Sequence, residues 1–175
     1  MLLTKKAKKG KTMKTNEKTD SLPIFAVCDG VVEDISGMAD EVFSSRMLGD
    51  GYAIKPRSSL FFAPVSGRIM SVSSSSHAFT IHTESGFDIL VHIGIDTVRL
   101  KNGEITPLVS RGEDTLVGTP IARADLDAIR AHSLDTTTAV VVTTSPHPCD
   151  YSLFSGDVLG GRDIAMVCKR RKEGE

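Results

Sequence analysis

From Leu22 onward the chain is cut into short apolar runs by turn residues at close intervals. A chain punctuated in this way reads as an all-β sandwich or barrel, because strands tolerate such brevity and major helices do not. The candidate strands are Ile24–Val27, Val31–Ile35, Tyr52–Lys55, Leu60–Ala63, Arg68–Val72, His77–Thr83, Phe87–Ile93, Thr115–Ala122, Ala139–Thr144, Val158–Gly160 and Ile164–Lys169. Between them sit Asp29-Gly30, Gly49-Asp50-Gly51, Pro64-Val65-Ser66-Gly67, Glu84-Ser85-Gly86, Lys101-Asn102-Gly103 and Gly160-Gly161, which favour tight turns. Gly49 and Gly51 are expected to serve a backbone with positive φ. Helical periodicity is confined to Met38–Leu48 and Asp125–Ala131, each too short to be a major element. The expectation is one mostly antiparallel β domain over residues 22–170, with short helical turns and no internal linker.

The ends read differently. Residues 1–21 carry seven lysines and few large apolar side chains, too little to offset the entropy of ordering, so they are expected to be a disordered basic tail. Residues 171–175 are expected to be a second solvated tail. The lysines allow weak contact with an anionic membrane, each contributing at most about 1 kcal/mol. No apolar run approaches the length of a membrane span, and the lysine-rich start lacks the apolar stretch of a signal peptide. Cys28, Cys149 and Cys168 are odd in number and widely spaced, which fits a reducing cytosol better than a disulfide framework. With 21 basic and 22 acidic residues, no Trp and two Tyr, the chain offers nucleic acid neither a field nor stacking platforms. A cytoplasmic protein that does not bind nucleic acid is expected.

The segment Ser75–Asp96 carries the chemistry. It reads as two strands joined by a turn around Glu84-Ser85-Gly86, with His77 on one strand and His92 on the other. A four-residue loop, Thr83–Gly86, sets the two histidines directly opposite, with Cβ atoms about 4.5–5.5 Å apart. A two-residue loop sets them diagonal on one face, and only an odd loop length sends them to opposite faces. His82, an odd number of positions from His77, is expected on the other face. His132 and His147 fall in loops without evident partners. An imidazole near its ordinary pKa offers a nucleophilic nitrogen, and a second imidazole can donate to phosphoryl oxygens during in-line transfer. Ser75 can supply a hydroxyl, while Phe79 and Leu90 are placed to exclude water from a hydrolysable phosphohistidine. A histidine in a strand is commonly just a half-buried polar residue, so spacing alone leaves the matter open.

Longer motifs narrow it. FSSRMLGDGYAIKP at Phe43–Pro56, FFAPVSGRI at Phe61–Ile69 and HAFTIHTESGFDILVHIGIDTV at His77–Val98 resemble enzyme IIA of the glucose-type phosphoenolpyruvate-dependent phosphotransferase system. LKNGE at Leu100–Glu104, ADLD at Ala124–Asp127 and SGDVLGG at Ser155–Gly161 continue the similarity in order. The resemblance implies an antiparallel β-sandwich with a shallow apolar depression holding two histidines. It implies that His92 accepts a phosphoryl group from the carrier HPr and passes it to a cysteine of a sugar transporter's IIB domain. His77 would support the transferred group, with the Ser75 hydroxyl behind it. Asp40 and Asp96 would meet basic residues of HPr, and Val42, Phe43, Met47, Leu48 and Phe79 would form the apolar surround. By composition alone, Phe43, Met47 and Leu48 read sooner as core, and Asp96 as a turn cap. Ser75-Ser76 replaces the family's Thr-Asn, Ala139 stands where proline is common, and the Pro146–Phe154 loop is atypical.

Three other readings compete. Lipoyl and biotinyl carrier domains share Ala63-Pro64-Val65-Ser66-Gly67 followed by a strand, but need a lysine at a hairpin tip that here is Glu84-Ser85-Gly86. A catalytic zinc needs three protein ligands, and His77, His92 and Asp96 make a poor set. No cofactor is required for the phosphorelay; zinc held by His77 and His92 as a bridge in a complex is the alternative. The third is a regulator of transporters or kinases, switched by the charge that a phosphoryl adds to an apolar docking face.

Overall fold

A computed structural model of the protein describes residues 20–172. The lysine-rich segment, residues 1–19, lies outside the described residues, as does 173–175. Asp20 and Ser21, assigned to the tail from sequence, are ordered: Ser21 begins the first strand, and the Asp20 carbonyl accepts the Arg170 N–H.

Fourteen strands form: β1 (Ser21–Phe25), β2 (Gly30–Asp34), β3 (Asp50–Pro56), β4 (Leu60–Phe62), β5 (Gly67–Val72), β6 (Ala78–His82), β7 (Asp88–His92), β8 (Ile105–Pro107), β9 (Asp114–Thr115), β10 (Pro120–Ala124), β11 (Thr138–Thr144), β12 (Cys149–Leu153), β13 (Gly156–Val158) and β14 (Ile164–Arg170). The helical elements are α1 (Glu41–Ser44), α2 (Leu126–Ala131) and two 3-10 turns, Ile35–Gly37 and Thr97–Arg99. An eight-stranded sheet runs β13-β2-β3-β11-β7-β6-β5-β9, and two three-stranded sheets run β1-β14-β12 and β4-β10-β8. Every pairing is antiparallel. The expected antiparallel sandwich is therefore the observed architecture. Two strands are additional to those expected, β8 and β12, and the expected Thr115–Ala122 divides into β9 and β10.

Alternation along the strands separates two apolar clusters. Ile89, Val91, Val140, Val142, Tyr52 and Ile54 face inward to the main core between the sheets. On the outer face of the large sheet, Ala53, Ala139 and Val141 join Ile35, Met38 and Phe43 in a smaller cluster covered by α1 and the first 3-10 turn. Strand β11 is buried on both faces, which explains its unbroken TAVVVTT sequence. Gly51 on β3 is extended rather than at positive φ. Glycine is required there because a Cβ would sit 2.1 Å from the Val140 carbonyl oxygen of β11.

His92 stands on the outer face at the end of β7. Ala53, Ala139, His92 and Ala78 lie abreast across β3, β11, β7 and β6. The imidazole is the one side chain in that row longer than a methyl.

Candidate functional site

The register of the β6–β7 hairpin differs from both registers that would pair the histidines. Ala78, not His77, lies opposite His92, and the strands are joined by the odd-length loop Thr83–Phe87. Strict alternation would then send His77 toward the core. It does not go there, because regular strand geometry begins only at Ala78. Ser76 adopts φ 58°, its N–H donates to the Ser73 carbonyl at 2.8 Å, and the His77 carbonyl accepts from Ile93 N–H at 2.7 Å. This left-handed step turns the His77 ring out of the alternation. The two imidazoles meet with centroids 4.8 Å apart and planes at 78°. The juxtaposition is real, but a turn produces it, not the ladder.

The same register corrects the other assignments. His82 lies on the face of His92, not the opposite one, and is excluded by distance, four residues or about 13 Å along the strand; its Nδ1 pairs with Asp88 Oδ1 at 2.6 Å. Phe79 points inward, is fully buried and packs in the main core, so it neither borders the depression nor meets a partner. Leu90 is on the correct face and packs against the outer cluster. His132 has a partner after all, Glu104 Oε1 at 3.1 Å, and His147 packs edge-on against Phe87 at 5.6 Å.

Around His92 the motif VHIGIDT has a local physical logic. The chain turns at Gly94, φ 73°, where a Cβ would meet the Thr97 side chain at 2.5 Å and the Asp135 carbonyl oxygen at 2.9 Å. That turn brings the Gly94 carbonyl back to His92 Nδ1 at 2.9 Å. A carbonyl only accepts, so Nδ1 carries the hydrogen and Nε2 of the neutral ring is a bare lone pair. Thr97, buried, donates to the Ile93 carbonyl at 2.5 Å and fixes the turn. The Phe43 ring lies 5.0 Å from the imidazole, tilted by 57°. Helix α1 holds it there: Asp40 caps the helix through Val42 N–H at 2.9 Å, and Phe43 is buried while Val42 remains exposed beside it. Met47 and Leu48 follow on the same segment, and Met47 is 74% exposed, so neither belongs to the core. Val98, at 58% exposure on the turn after Asp96, is a further apolar residue that the sequence patterns did not single out. Asp96 makes no side-chain cap; it is at φ 59° and pairs with Arg99 at 3.3 Å.

Burial pushes the His77 pKa down to about 4, with the neighbouring His92 acting in the same direction. Burial lowers His92 as well, opposed by the Gly94 hydrogen bond and by the negative potentials of Asp40 and Asp96. Both rings are therefore neutral at pH 7. On the far side of His77, Nδ1 meets Ser75 Oγ at 2.7 Å, as expected, and also Ser73 Oγ at 3.0 Å. Ser73 was missed because nothing in a run of four serines marks one of them.

The pair lies in a shallow place. A cavity of about 950 Å³ is lined by Leu22, Met70, Thr83 and Leu116 and contains neither histidine of the pair. A smaller cleft of about 340 Å³, lined by Ser75, Val98 and Lys101, adjoins His77. Among the described residues no group of three or more His, Cys, Asp or Glu is placed to hold a metal ion. His77 and His92 offer two nitrogens of the four ligands that zinc takes, and Asp96 does not complete the set. Among the described residues no helix is long and apolar enough to cross a membrane.

Comparison with known proteins gives a consistent result. Residues 22–147 match the family model for the phosphoenolpyruvate-dependent sugar phosphotransferase system, EIIA 1. The glucose-specific EIIA component of Mycoplasma capricolum is 34% identical over 147 residues, 84% of this chain and 96% of that protein. A glucose-specific EIICBA component of Streptococcus pneumoniae is 42% identical over 120 residues, which are 69% of this chain and 16% of that protein's length. The solved structure of glucose permease IIA from Mycoplasma capricolum matches with a TM-score of 0.78 at 34% identity, covering 83% of this chain and 95% of that one.

Proposed function

The chain belongs to the EIIA 1 family of the phosphoenolpyruvate-dependent sugar phosphotransferase system, and from that premise we propose that His92 is its phosphoryl-accepting residue. The observation that carries this reading is the pair itself: a half-buried, neutral imidazole with Nδ1 committed to Gly94 and a second, buried imidazole 4.8 Å away. The lone pair of Nε2 attacks the phosphorus of the phosphohistidine on HPr. The donor's N–P bond breaks, its electron pair staying on the donor nitrogen. In the second step a cysteine thiolate of the IIB domain attacks the same phosphorus, and the electron pair returns to Nε2 of His92. In both steps the phosphoryl oxygens carry charge that a hydrogen-bond donor on His77 stabilises.

Val42, Met47, Leu48 and Val98 give a dry rim for partner proteins, with Phe43 beneath the ring as its floor. Asp40 and Asp96 supply negative charge facing a basic carrier, which raises the encounter rate more than the affinity. The openness of the site suits this role, since a protein donor must bring its own reactive residue to His92. Relatives called EIICBA components support a glucose-type transporter as the onward partner. The transfer needs no cofactor, and it takes place in the cytoplasm. A zinc ion on His77 and His92 would need two further ligands from a partner, and would have to displace the ring proton that assists transfer. Loading His92 adds up to two negative charges to the apolar rim, so transporters or kinases docking there would sense the phosphorylation state.

The test is incubation with phosphoenolpyruvate, enzyme I and HPr, followed by mass measurement. A gain of one phosphoryl, stable to alkali and labile to acid, is expected, and His92→Gln abolishes it. His77→Gln still accepts the group but passes it to IIB about a hundredfold more slowly, the effect of losing one donor to a transition-state charge. Acceptance undiminished in His92→Gln would refute the assignment.

A further inference from the structure

The connection between β2 and β3, residues 35–49, carries most of the apolar rim, and little inside it holds it in shape. Its helix, α1, is one turn of four residues, too short to persist by itself. Ile35, Met38 and Phe43 anchor the connection to the outer face of the large sheet. Beyond Phe43 that anchorage stops, because Met47 and Leu48 are both exposed. Burial therefore does not fix the stretch that follows Phe43.

Arg46 does. Its Nη2 donates to both oxygens of Asp34, at 2.9 and 3.1 Å, and its Nε donates to Asp50 Oδ1 at 3.1 Å. Asp34 is the last residue of β2 and Asp50 the first of β3, so one side chain ties the two ends of the connection together. Both carboxylates are themselves held: Asp34 Oδ1 accepts the Ser36 N–H at 2.8 Å, and Asp50 Oδ1 accepts the Gly51 N–H at 2.9 Å. The planar guanidinium fork serves two acceptors at once, as a lysine ammonium would not. Isolated exposed ion pairs contribute little, but a network with fixed partners contributes more. The backbone points the same way. Arg46 stands at φ 57°, a left-handed conformation that costs a long side chain free energy and persists only where its surroundings impose it. Its N–H donates to the Phe43 carbonyl at 2.9 Å, and its carbonyl accepts the Gly49 N–H at 3.0 Å. That conformation bends the chain from the floor of the site to the exit of the connection.

We propose that Arg46 is a positioning residue, a clasp across the neck of the β2–β3 connection that holds Met47 and Leu48 in the arrangement a protein donor meets. The proposal rests on the phosphocarrier reading and deepens it, giving Arg46 a part in docking and none in the transfer. A rim fixed beforehand loses less entropy when a partner settles on it, so the clasp acts on association. With its guanidinium committed to Asp34 and Asp50, Arg46 is not a group that holds the phosphoryl.

The test uses the full chain. Arg46→Gln keeps much of the side chain's length and removes its charge and its fork. Native-state amide hydrogen exchange is expected to quicken about fivefold at Gly49, whose N–H the turn holds, while the amides of β7 and β11 keep their protection and report an intact fold. With phospho-HPr as donor, KM is expected to rise about fivefold and the rate at saturation to change less than about twofold. Asp34→Asn together with Asp50→Asn, in a chain that keeps Arg46, should give the same faster exchange at Gly49. Adding Arg46→Gln to that pair should give no more, because all three act through one network. Unchanged exchange at Gly49 in Arg46→Gln overturns the proposal, as does an unchanged KM, or an arginine effect that simply adds to that of the carboxylates. If exchange responds as expected but the wild type takes up no phosphoryl, the phosphocarrier reading falls and the clasp stands.

Discussion

The two histidines sit 4.8 Å apart yet are held by opposite kinds of backbone. His92 ends a regular strand, paired on one side with Ala139 and on the other with Ala78, so its face is dictated by the ladder and by the core residues Ile89 and Val91 beneath it. His77 precedes its strand and is aimed by a turn in which Ser76 takes a left-handed conformation. The ladder spreads its ring's placement over many hydrogen bonds and a large buried surface. The turn concentrates it in a few residues. His92 is accordingly the insensitive member of the pair, and His77 is the adjustable one.

Perturbing the ladder should cost most. Gly51→Ala drives a Cβ against the β11 backbone and is expected to destabilise the protein by about 3 kcal/mol or more, read by chemical denaturation. A loss under 1 kcal/mol would mean that β11 yields easily and that His92 is less firmly placed than its pairings indicate. Acidification probes the other ring. The unfolded chain binds a proton on His77 near pH 6.5, whereas the folded protein resists until about pH 4. The unfolded state binds more protons across that window, so this contribution is fully present above pH 6.5 and is lost as the pH falls toward 4. The wild type should lose about 3 kcal/mol more than His77→Gln over that range. Parallel stability curves for the two proteins would show that His77 is not held neutral by burial. The smallest effect is local to the turn. Ser76→Val, a branched residue at positive φ, is expected to cost about 1–2 kcal/mol and to slow onward transfer while leaving acceptance by His92 nearly intact. If acceptance fell equally, the two backbones would not be independent.

Much of the architecture was legible because alternation and turn chemistry agree along most strands. The exceptions have physical causes. Strand β12, CDYSL, buries Cys149 and half-buries Tyr151 and Leu153 between exposed polar residues, a pattern muted by its neighbouring prolines. Strand β8 is three residues long and ends in proline. The break between β9 and β10 falls at Gly118, φ 79°, inside what reads as one apolar run. At the site, the motifs singled out His92 and His77, whose rings the structure brings together, but the face of His77 was not derivable by counting. Parity holds only inside a ladder, and a single left-handed serine ends it. Phe79 was misplaced by the same reasoning carried two residues further. Ser73 was invisible because only the turn through Ser76 brings a hydroxyl four positions away back to His77 Nδ1.

If His92 carries the phosphoryl group, as proposed, the row of methyls beside it has a consequence for the loaded protein. A phosphorylated imidazole is a larger object than the empty one, with a tetrahedral head and three oxygens where a lone pair had been. On one hand Ala53 and Ala139 lie buried beneath Phe43 and Met38, and on the other Ala78 stops at Cβ beside the ring, so the ladder itself sets no long side chain against the added bulk. Loading and unloading would then leave the strand pairings of β7 as they are, and any adjustment would fall to the exposed side chains at the rim.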